Sequence, residues 1–166
     1  MPKPTGRPDS PPKPTPAESD RDGGAMSVVE RTIAITRTLR AVAHELMECA
    51  FDAREAGELD LDGFLSVSDR YQAMINQANT ALYEVVKALP PLGAHIEKIE
   101  QATRDLEAAA KRLREVKDVL TISAELLAAL SSLTLAVLRP DAAAIAATAE
   151  AIAAVTASIR ARIVSR

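Results

Sequence analysis

Aromatic residues are nearly absent from the sequence, which has no tryptophan, two phenylalanines and two tyrosines. A hydrophobic core must therefore come from Leu, Ile, Val, Met and much Ala. These residues, joined to Glu, Arg and Lys, are typical of long helices. Glycine is also scarce, because after residue 24 it occurs only at Gly57, Gly63 and Gly93. Few turns can then form, and the sequence predicts an all-α protein.

No part of the chain has a large excess of basic residues. The net charge is −3, with 20 Lys and Arg against 23 Asp and Glu. Residues 27–89 carry ten acidic and six basic side chains, and residues 119–166 carry three acidic and four basic ones. Phosphate neutralisation needs clustered cations, and single-stranded nucleic acid needs aromatic stacking platforms as well. The composition therefore disfavours nucleic-acid binding.

The single cysteine, Cys49, excludes an internal disulfide and fits a reducing compartment. Seven of the ten prolines lie in residues 1–16, and no apolar run of the signal-peptide type is present there. We therefore expect a cytoplasmic protein. Residues 2–24 contain no large apolar side chain and cannot offset the entropy of ordering. We expect a disordered tail over 1–26 and one helical-bundle domain over 27–166.

Four main helices are predicted, at roughly 27–56, 65–89, 94–138 and 141–163. The first begins with Ser27 and Glu30, which have the spacing of a capping box, and Gly57 is a suitable stop. Pro90 and Pro91 end the second helix. The third predicted helix has apolar residues at the heptad spacing of a coiled coil in its first half: Ile99, Leu106, Leu113 and Leu120.

The third predicted helix is unusually long, because residues 94–138 contain neither Gly nor Pro. Unbroken, it would measure roughly 67 Å. The second and fourth helices fold back from proline turns, so each covers only one half of it. This predicts an elongated bundle whose apolar hairpin its own chain covers poorly. If the helix instead breaks, at Thr121–Ser123 or at Ser131–Ser132, a compact bundle forms and the hairpin becomes ordinary core.

Residues 119–159 most need an explanation, because only four of these 41 residues are charged. The residues predicted to form an interface or to enter a membrane are Leu120, Leu126, Leu127, Leu130, Leu133, Val137, Ile145, Ile152, Val155 and Ile159. On a translocon-type scale, the apolar residues of 119–138 gather about −5 kcal/mol, which Glu125 and five Ser and Thr nearly cancel. Insertion into a membrane would therefore be conditional. A buried core and an interface with another chain remain open beside it.

Residues 58–69, with the sequence ELDLDGFLSVSD, resemble an EF-hand calcium loop. Aligned on Gly63, the loop places four carboxylates at its first, third, fifth and twelfth positions: Glu58, Asp60, Asp62 and Asp69. The resemblance implies a calcium site at these residues. Glu at the first position and the short Asp at the twelfth depart from the family pattern. The alternative is an acidic connection between two helices, with no metal and its apolar residues packed under the bundle.

No motif for catalysis or for a cofactor is recognisable. His44 and Glu48 have the spacing of the two histidines of the zincin motif, but Glu stands in place of the second His. No other His is placed to complete a zinc site. Cys49 lies beside the apolar stripe of the first helix, which is typical of a small core residue. We therefore expect a protein that is not an enzyme and that has no cofactor.

These observations predict a non-enzymatic structural or interaction protein. It would assemble, with itself or with a protein partner, through the 119–159 hairpin. One alternative is a membrane-active α-helical effector of the pore-forming type, whose hairpin inserts into a membrane after assembly. A second alternative is a small inhibitor or immunity-type protein that uses the acidic surface of the first two helices.

Overall fold

The computed structural model describes residues 27–87 and 96–163. Within these ranges it has no strand and five α-helices: α1 (Val28–Glu55), α2 (Leu61–Lys87), α3 (Ile96–Ala110), α4 (Val119–Leu138) and α5 (Ala142–Arg162). The prediction of an all-α protein is confirmed. The predicted tail over 1–26 and the predicted stop at Pro90 and Pro91 lie outside the described residues.

Both predicted ends of α1 are confirmed. The Ser27 hydroxyl accepts a hydrogen bond from the Glu30 backbone N–H at 3.2 Å, and the Glu30 carboxylate accepts one from the Ser27 N–H at 2.7 Å. These bonds satisfy N–H groups that have no partner inside the helix. At the other end, Gly57 has a φ of +74°, a conformation that costs glycine little and other residues more.

The second helix begins four residues earlier than predicted. Asp60 precedes Leu61, and its Oδ1 accepts a hydrogen bond of 2.7 Å from the backbone N–H of Gly63. This is the bond that an Asp makes at a helix N-cap, so α2 starts at once after Asp60. The predicted start at residue 65 is wrong because the cap at Asp60 allows the helix to include Gly63, although glycine is a weak helix former.

The prediction of one continuous helix over residues 94–138 is also wrong. α3 ends at Ala110, a short 3-10 turn covers Leu113–Glu115, and α4 begins after Asp118, whose carboxylate accepts from the Thr121 N–H at 3.1 Å. Both predicted break points lie inside α4 instead. Leu113 is fully buried at the break, so the turn inserts an apolar side chain into the core while it reverses the chain. The break lets the apolar half fold back into the bundle.

The helices alternate in direction along the chain. Arg31 on α1 pairs with Glu100 on α3, and farther along α1 Glu45 pairs with Arg114, just after α3. Because both pairs advance in the same sense, α1 and α3 are parallel. α2 returns antiparallel to α1 after a five-residue connection.

α4 lies between three other helices of the bundle. Arg70 on α2 donates to the carbonyl of Leu120, and Thr134 near the other end of α4 donates to the carbonyl of Gln77. α2 and α4 are therefore parallel, and α5 folds back on α4 after residues 139–141. α4 packs against α1, α2 and α5. α4 has no acidic residue in its first turn and no basic residue in its last. Such an apolar helix can lie in the bundle because three neighbouring helices cover most of its circumference.

Candidate interaction surface

The hairpin of α4 and α5 contains all ten apolar residues that the sequence singled out. Eight are buried in the chain's own core: Leu126, Leu130, Leu133, Val137, Ile145, Ile152, Val155 and Ile159. The other two, Leu120 and Leu127, are half-buried and pack against that core. The intact fold therefore does not present the eight buried side chains to another molecule, because they hold the hairpin to the rest of the chain.

The other side of the hairpin is exposed and carries few charges. We define the outer face by its exposed apolar residues, which are Ala124, Ala128, Leu135 and Leu138 on α4 and Ala142, Ala143, Ala146, Ala147, Ala153, Ala154, Ala157 and Ala161 on α5. Between residues 142 and 161 the exposed charged residues are Glu150 and Arg160. Leu135 and Leu138 are 58% and 50% exposed, although both are large apolar side chains.

This exposure follows from the position of α5 at the edge of the bundle. α5 packs against α3 and α4, which cover one stripe of its side chains, including Ile152, Val155 and Ile159. The rest of its circumference is mostly alanine. Surface helices normally place charged or polar residues on their outer side. α5 is therefore unusual in exposing an apolar surface of small side chains over its whole length.

None of the ten predicted interface residues belongs to the outer face, because the prediction favoured large apolar side chains. A signal for it was present: Ala124, Ala128, Leu135 and Leu138 are spaced by four, seven and three residues, which places them on one stripe of a helix. That stripe lies opposite the one that contains Leu126, Leu130 and Leu133. From the sequence alone, either stripe could have been the outer one.

Both hairpin helices are long and apolar enough to cross a membrane, judged by length and composition. Half of the most apolar stretch of α4 is buried in the fold, but only a third of that of α5. Core helices of soluble proteins meet the same criterion. The property is thus weak evidence for a conditional association with membranes.

A charged group lies at the contact between α4 and α5. Oε1 of Glu125 accepts a hydrogen bond of 2.8 Å from the hydroxyl of Ser158. Oε2 of the same carboxylate is buried and has no hydrogen-bond partner among the described residues. Leaving a buried acceptor without a partner costs free energy. The two helices therefore meet around an incompletely satisfied charge.

The end of the hairpin that lies next to the turn between α3 and α4 is held to the bundle by polar contacts. The Arg70 guanidinium donates to the Leu120 carbonyl at 2.8 Å, which ties α4 to α2. Asp118 forms an ion pair of 3.0 Å with Arg162, which ties the start of α4 to the end of α5. Hydrogen bonds from Thr121, together with Arg162, hold the pKa of Asp118 below its ordinary value. If the hairpin left the bundle, the Arg70 contact would have to break.

The four carboxylates of the EF-hand resemblance do not share one loop. Glu58 lies in the connection before α2, Asp60 caps that helix, and Asp62 and Asp69 belong to α2 itself. An EF-hand wraps all its ligands around the ion in one loop, whereas a helix separates residues 62 and 69 by roughly 10 Å along its axis. The part of the chain that the structure describes contains no group of three or more His, Cys, Asp or Glu that could hold a metal ion.

The side chains considered for catalysis have structural contacts. Nδ1 of His44 lies 2.7 Å from the hydroxyl of Tyr71, in hydrogen-bond contact. Cys49 is buried, and this burial, with the Glu45 carboxylate nearby, raises the pKa of its thiol to about 11. Since the thiolate is the reactive form of cysteine, such a thiol is a poor nucleophile at neutral pH.

An open groove of about 590 Å³ runs between α1 and α3. Ala41 and Ala110 are among the residues that line it, and their side chains are too small to fill the space between the two helices. Arg37, Lys111 and Glu107 are among the residues at its edges. Because the edges carry both signs of charge, the groove has no clear preference for an anionic or a cationic ligand.

Comparisons of the chain with protein-family models, with characterised proteins and with solved structures gave no match.

Proposed function

We propose that this protein is a non-enzymatic interaction protein that assembles through the outer face of its C-terminal hairpin, with copies of itself or with another helical protein. The observation that carries this proposal is the exposed side of α5, which is alanine along its length apart from Glu150, with Arg160 at its end. The proposal keeps the hairpin as the site of assembly but moves the contact from its buried residues to its exposed ones.

A surface with few charges and small side chains is well suited to packing against another helix. Alanine lets a second helix approach closely, so that dispersion contacts extend over the backbone as well. Leu135 and Leu138, which are half exposed or more, would be covered in the same contact. Burial of their apolar surface favours association by about 25 cal/mol per Å². Few charged groups would have to be desolvated.

A charge placed in the outer face tests this proposal. Ala154→Arg puts a cation in the middle of the exposed side of α5, and Ala108→Arg puts the same cation on an exposed site of α3. We expect light scattering on the full chain to give an oligomer for the parent and for Ala108→Arg, and a monomer for Ala154→Arg. If the parent is a monomer at about 100 μM and co-purifies with no stoichiometric partner, assembly through this face is wrong.

A membrane-active effector is the second candidate. It is supported by the two helices that are long and apolar enough to span a bilayer and are joined by a short turn. Insertion would require the hairpin to leave its contacts with α1, α2 and α3, so it would need a trigger or prior assembly. A lone charge such as Glu125 inside a bilayer favours an oligomer in which it lies within protein or lines a water-filled lumen.

Dye release from phosphatidylcholine–phosphatidylglycerol vesicles separates the two candidates. If the hairpin inserts, the parent releases dye at one or more pH values between 4 and 8. Ala154→Arg then releases less, because an Arg near the middle of an inserted helix costs about 2.5 kcal/mol or more. An assembly that stays in water releases none. Vesicle flotation with the same two proteins checks whether binding occurs without release.

A further inference from the structure

Two pairs of aromatic rings bridge α1 and α2 on one exposed seam. Phe51 on α1 and Phe64 on α2 have ring centroids 5.0 Å apart, and His44 and Tyr71 form the next pair at 5.4 Å. Each helix contributes residues seven positions apart, so both pairs lie on the same side of the antiparallel helices. The seam thus collects three of the four aromatic residues of the sequence, together with one histidine.

Large apolar side chains at one end of this seam are exposed. Phe51 is 47%, Leu61 53% and Leu65 50% exposed. Leu61, Phe64 and Leu65 are neighbours on α2 at spacings of three and four residues, and Phe64 packs against the core. Phe51 lies against Phe64. These four residues therefore form one apolar patch, which is anchored to the core by Phe64 and is otherwise open to solvent.

The patch is surrounded by negative charge. Residues 48–69 contain seven carboxylates and one basic residue, Arg54, and all seven carboxylates are exposed. Glu48 and Glu55 stand three positions before and four after Phe51, so both are its neighbours on the helix surface. In the described ranges, 27–87 and 96–163, Asp52 is the carboxylate of this segment that forms an ion pair, with Arg114.

The same flanking pattern occurs on α2. Asp62 stands three positions before Leu65 and Asp69 four after it, and both are exposed. The carboxylate pairs on the two helices are each seven residues apart, which corresponds to roughly 10 Å along a helix. A partner helix with Lys or Arg seven residues apart would match this spacing, with its apolar stripe on the patch.

We propose that this apolar patch, formed by Phe51, Leu61, Phe64 and Leu65, docks a cationic amphipathic helix of a partner protein. Aromatic side chains supply a large contact area with little loss of rotamer freedom and are frequent hot spots of interfaces. The acidic surround speeds the approach of a cationic partner and repels an anionic one. Nucleic acid and anionic lipid surfaces are excluded as occupants by the same charge. The patch is separate from the outer face of the hairpin.

The test measures binding of a defined helical probe to the full chain. The probe is a fluorescein-labelled 18-residue peptide of Leu and Lys in a helical repeat. Two control peptides accompany it: Leu and Glu in the same repeat, and Leu and Lys in strict alternation, which suits a strand. We expect saturable fluorescence anisotropy for the probe and at least about 10-fold weaker binding of both controls, because one has the wrong charge and the other the wrong period.

Variants then locate the contact. We expect Phe51→Ala and Leu65→Ser each to weaken probe binding about 30-fold, the size of an interface hot spot. Tyr83→Ala removes another exposed aromatic residue, at the far end of α2, and should leave binding unchanged. The double variant Glu48→Gln, Glu55→Gln should weaken binding about 3-fold or more and reduce its dependence on NaCl, since salt screens exposed charges.

Several outcomes would overturn the proposal. Absence of saturable binding does so, and so does equal binding to parent, Phe51→Ala and Leu65→Ser, because attraction would then be electrostatic alone. Leu65→Ser covers the case in which Phe51→Ala unfolds, since Leu65 is half exposed and its loss should not unfold the chain. If light scattering shows that Phe51→Ala lowers the mass of a parent oligomer, the occupant is a second copy and the proposed partner is wrong.

Discussion

The hydroxyl of Ser158 on α5 donates a hydrogen bond of 2.8 Å to the carboxylate of Glu125 on α4, which joins the two hairpin helices within their length. The second carboxylate oxygen is buried without a partner among the described residues. A buried group of this kind destabilises the fold unless it is fully hydrogen-bonded. The pair therefore offers a direct test of how the hairpin is held together.

Removing the donor alone should destabilise the protein. Ser158→Ala removes the partner of Oε1, so that neither oxygen of Glu125 has a hydrogen bond among the described residues. We expect a loss of about 1–3 kcal/mol in unfolding free energy. Replacing both groups, in Glu125→Met with Ser158→Ala, should restore the parent value to within about 1 kcal/mol, because no charge is then left unsatisfied. Urea unfolding at pH 7 measures both. Ser131→Ala, on α4, controls for the higher helix propensity of alanine; an equal loss there would contradict the explanation.

Two leucines on α4 should respond very differently to the same change. Leu130 is fully buried, whereas Leu135 is 58% exposed. Leu130→Ala creates a cavity and should cost about 2–5 kcal/mol of unfolding free energy. When both variants are made in the Ala154→Arg background, which keeps the chain monomeric, Leu135→Ala should change it by less than about 0.5 kcal/mol. Urea unfolding of the two variants checks which stripe of α4 faces the core, and a reversed order would mean that the hairpin is turned about its axis.

The ion pair between α1 and α3 makes stability depend on pH. Arg31 donates two hydrogen bonds to the Glu100 carboxylate, at 2.7 and 2.5 Å, and holds the pKa of Glu100 below its ordinary value. Such a carboxylate stabilises the fold fully above its unfolded pKa of about 4.3. The contribution is lost as the pH falls through the lower folded pKa.

Glu100→Gln should therefore lower the urea midpoint at pH 7 and have a smaller effect near pH 2.5. Glu107→Gln is the matched control, because Glu107 is an exposed carboxylate on the same helix and forms no ion pair among the described residues. For Glu107→Gln, the difference between the urea midpoints at the two pH values should stay close to that of the parent. If Glu100→Gln lowers the midpoint equally at both pH values, its effect is steric and the ion pair contributes nothing.

Cys49 should react slowly while the protein is folded. Burial raises the pKa of its thiol to about 11, from an ordinary value of 9.0. At pH 8 the reactive thiolate fraction therefore falls roughly 100-fold, in addition to steric protection. We expect Ellman's reagent to react within seconds in 8 M urea and at least about 100-fold more slowly in buffer.

The same shift affects stability at alkaline pH. The folded state favours the protonated thiol, so the stability that this preference contributes is complete below the ordinary pKa of 9.0 and is lost as the pH rises toward 11. Cys49→Ala should show a shallower loss of stability between pH 8.5 and 10.5 than the parent. Rapid reaction of the folded parent at pH 8 would contradict the burial of this side chain.

Much of the local structure could be predicted from residues close together in the chain. Ser27 and Glu30 form the predicted capping box, and Gly57 takes up the left-handed conformation that ends α1. The start of α2 was predicted too late because the acidic segment suggested a loop. The cap at Asp60 was present in the sequence, but a helix that includes Gly63 so early is disfavoured by propensity alone.

The break between α3 and α4 could not be located from propensity, because residues 111–118 contain neither Gly nor Pro. The chain turns there because Leu113 and Val116 are buried and Asp118 caps the next helix. These are gains of tertiary structure that outweigh the continuity of one helix. The same break decides which residues of the hairpin can form an interface. Because α4 folds back onto three neighbours, Leu126 and Leu130 are buried and the outer face is left exposed.

The sequence by itself determined that the chain is helical, where α1 and α5 begin, and that residues 119–159 are nearly uncharged. These properties depend on side-chain type and on neighbours within one or two turns. The tertiary structure alone decided which stripe of α4 and α5 is covered and which forms the outer face. It also brought Phe51 to Phe64 across two helices. The reason is that burial is a relation between distant segments, and an apolar helix has no inner side until its neighbours are in place.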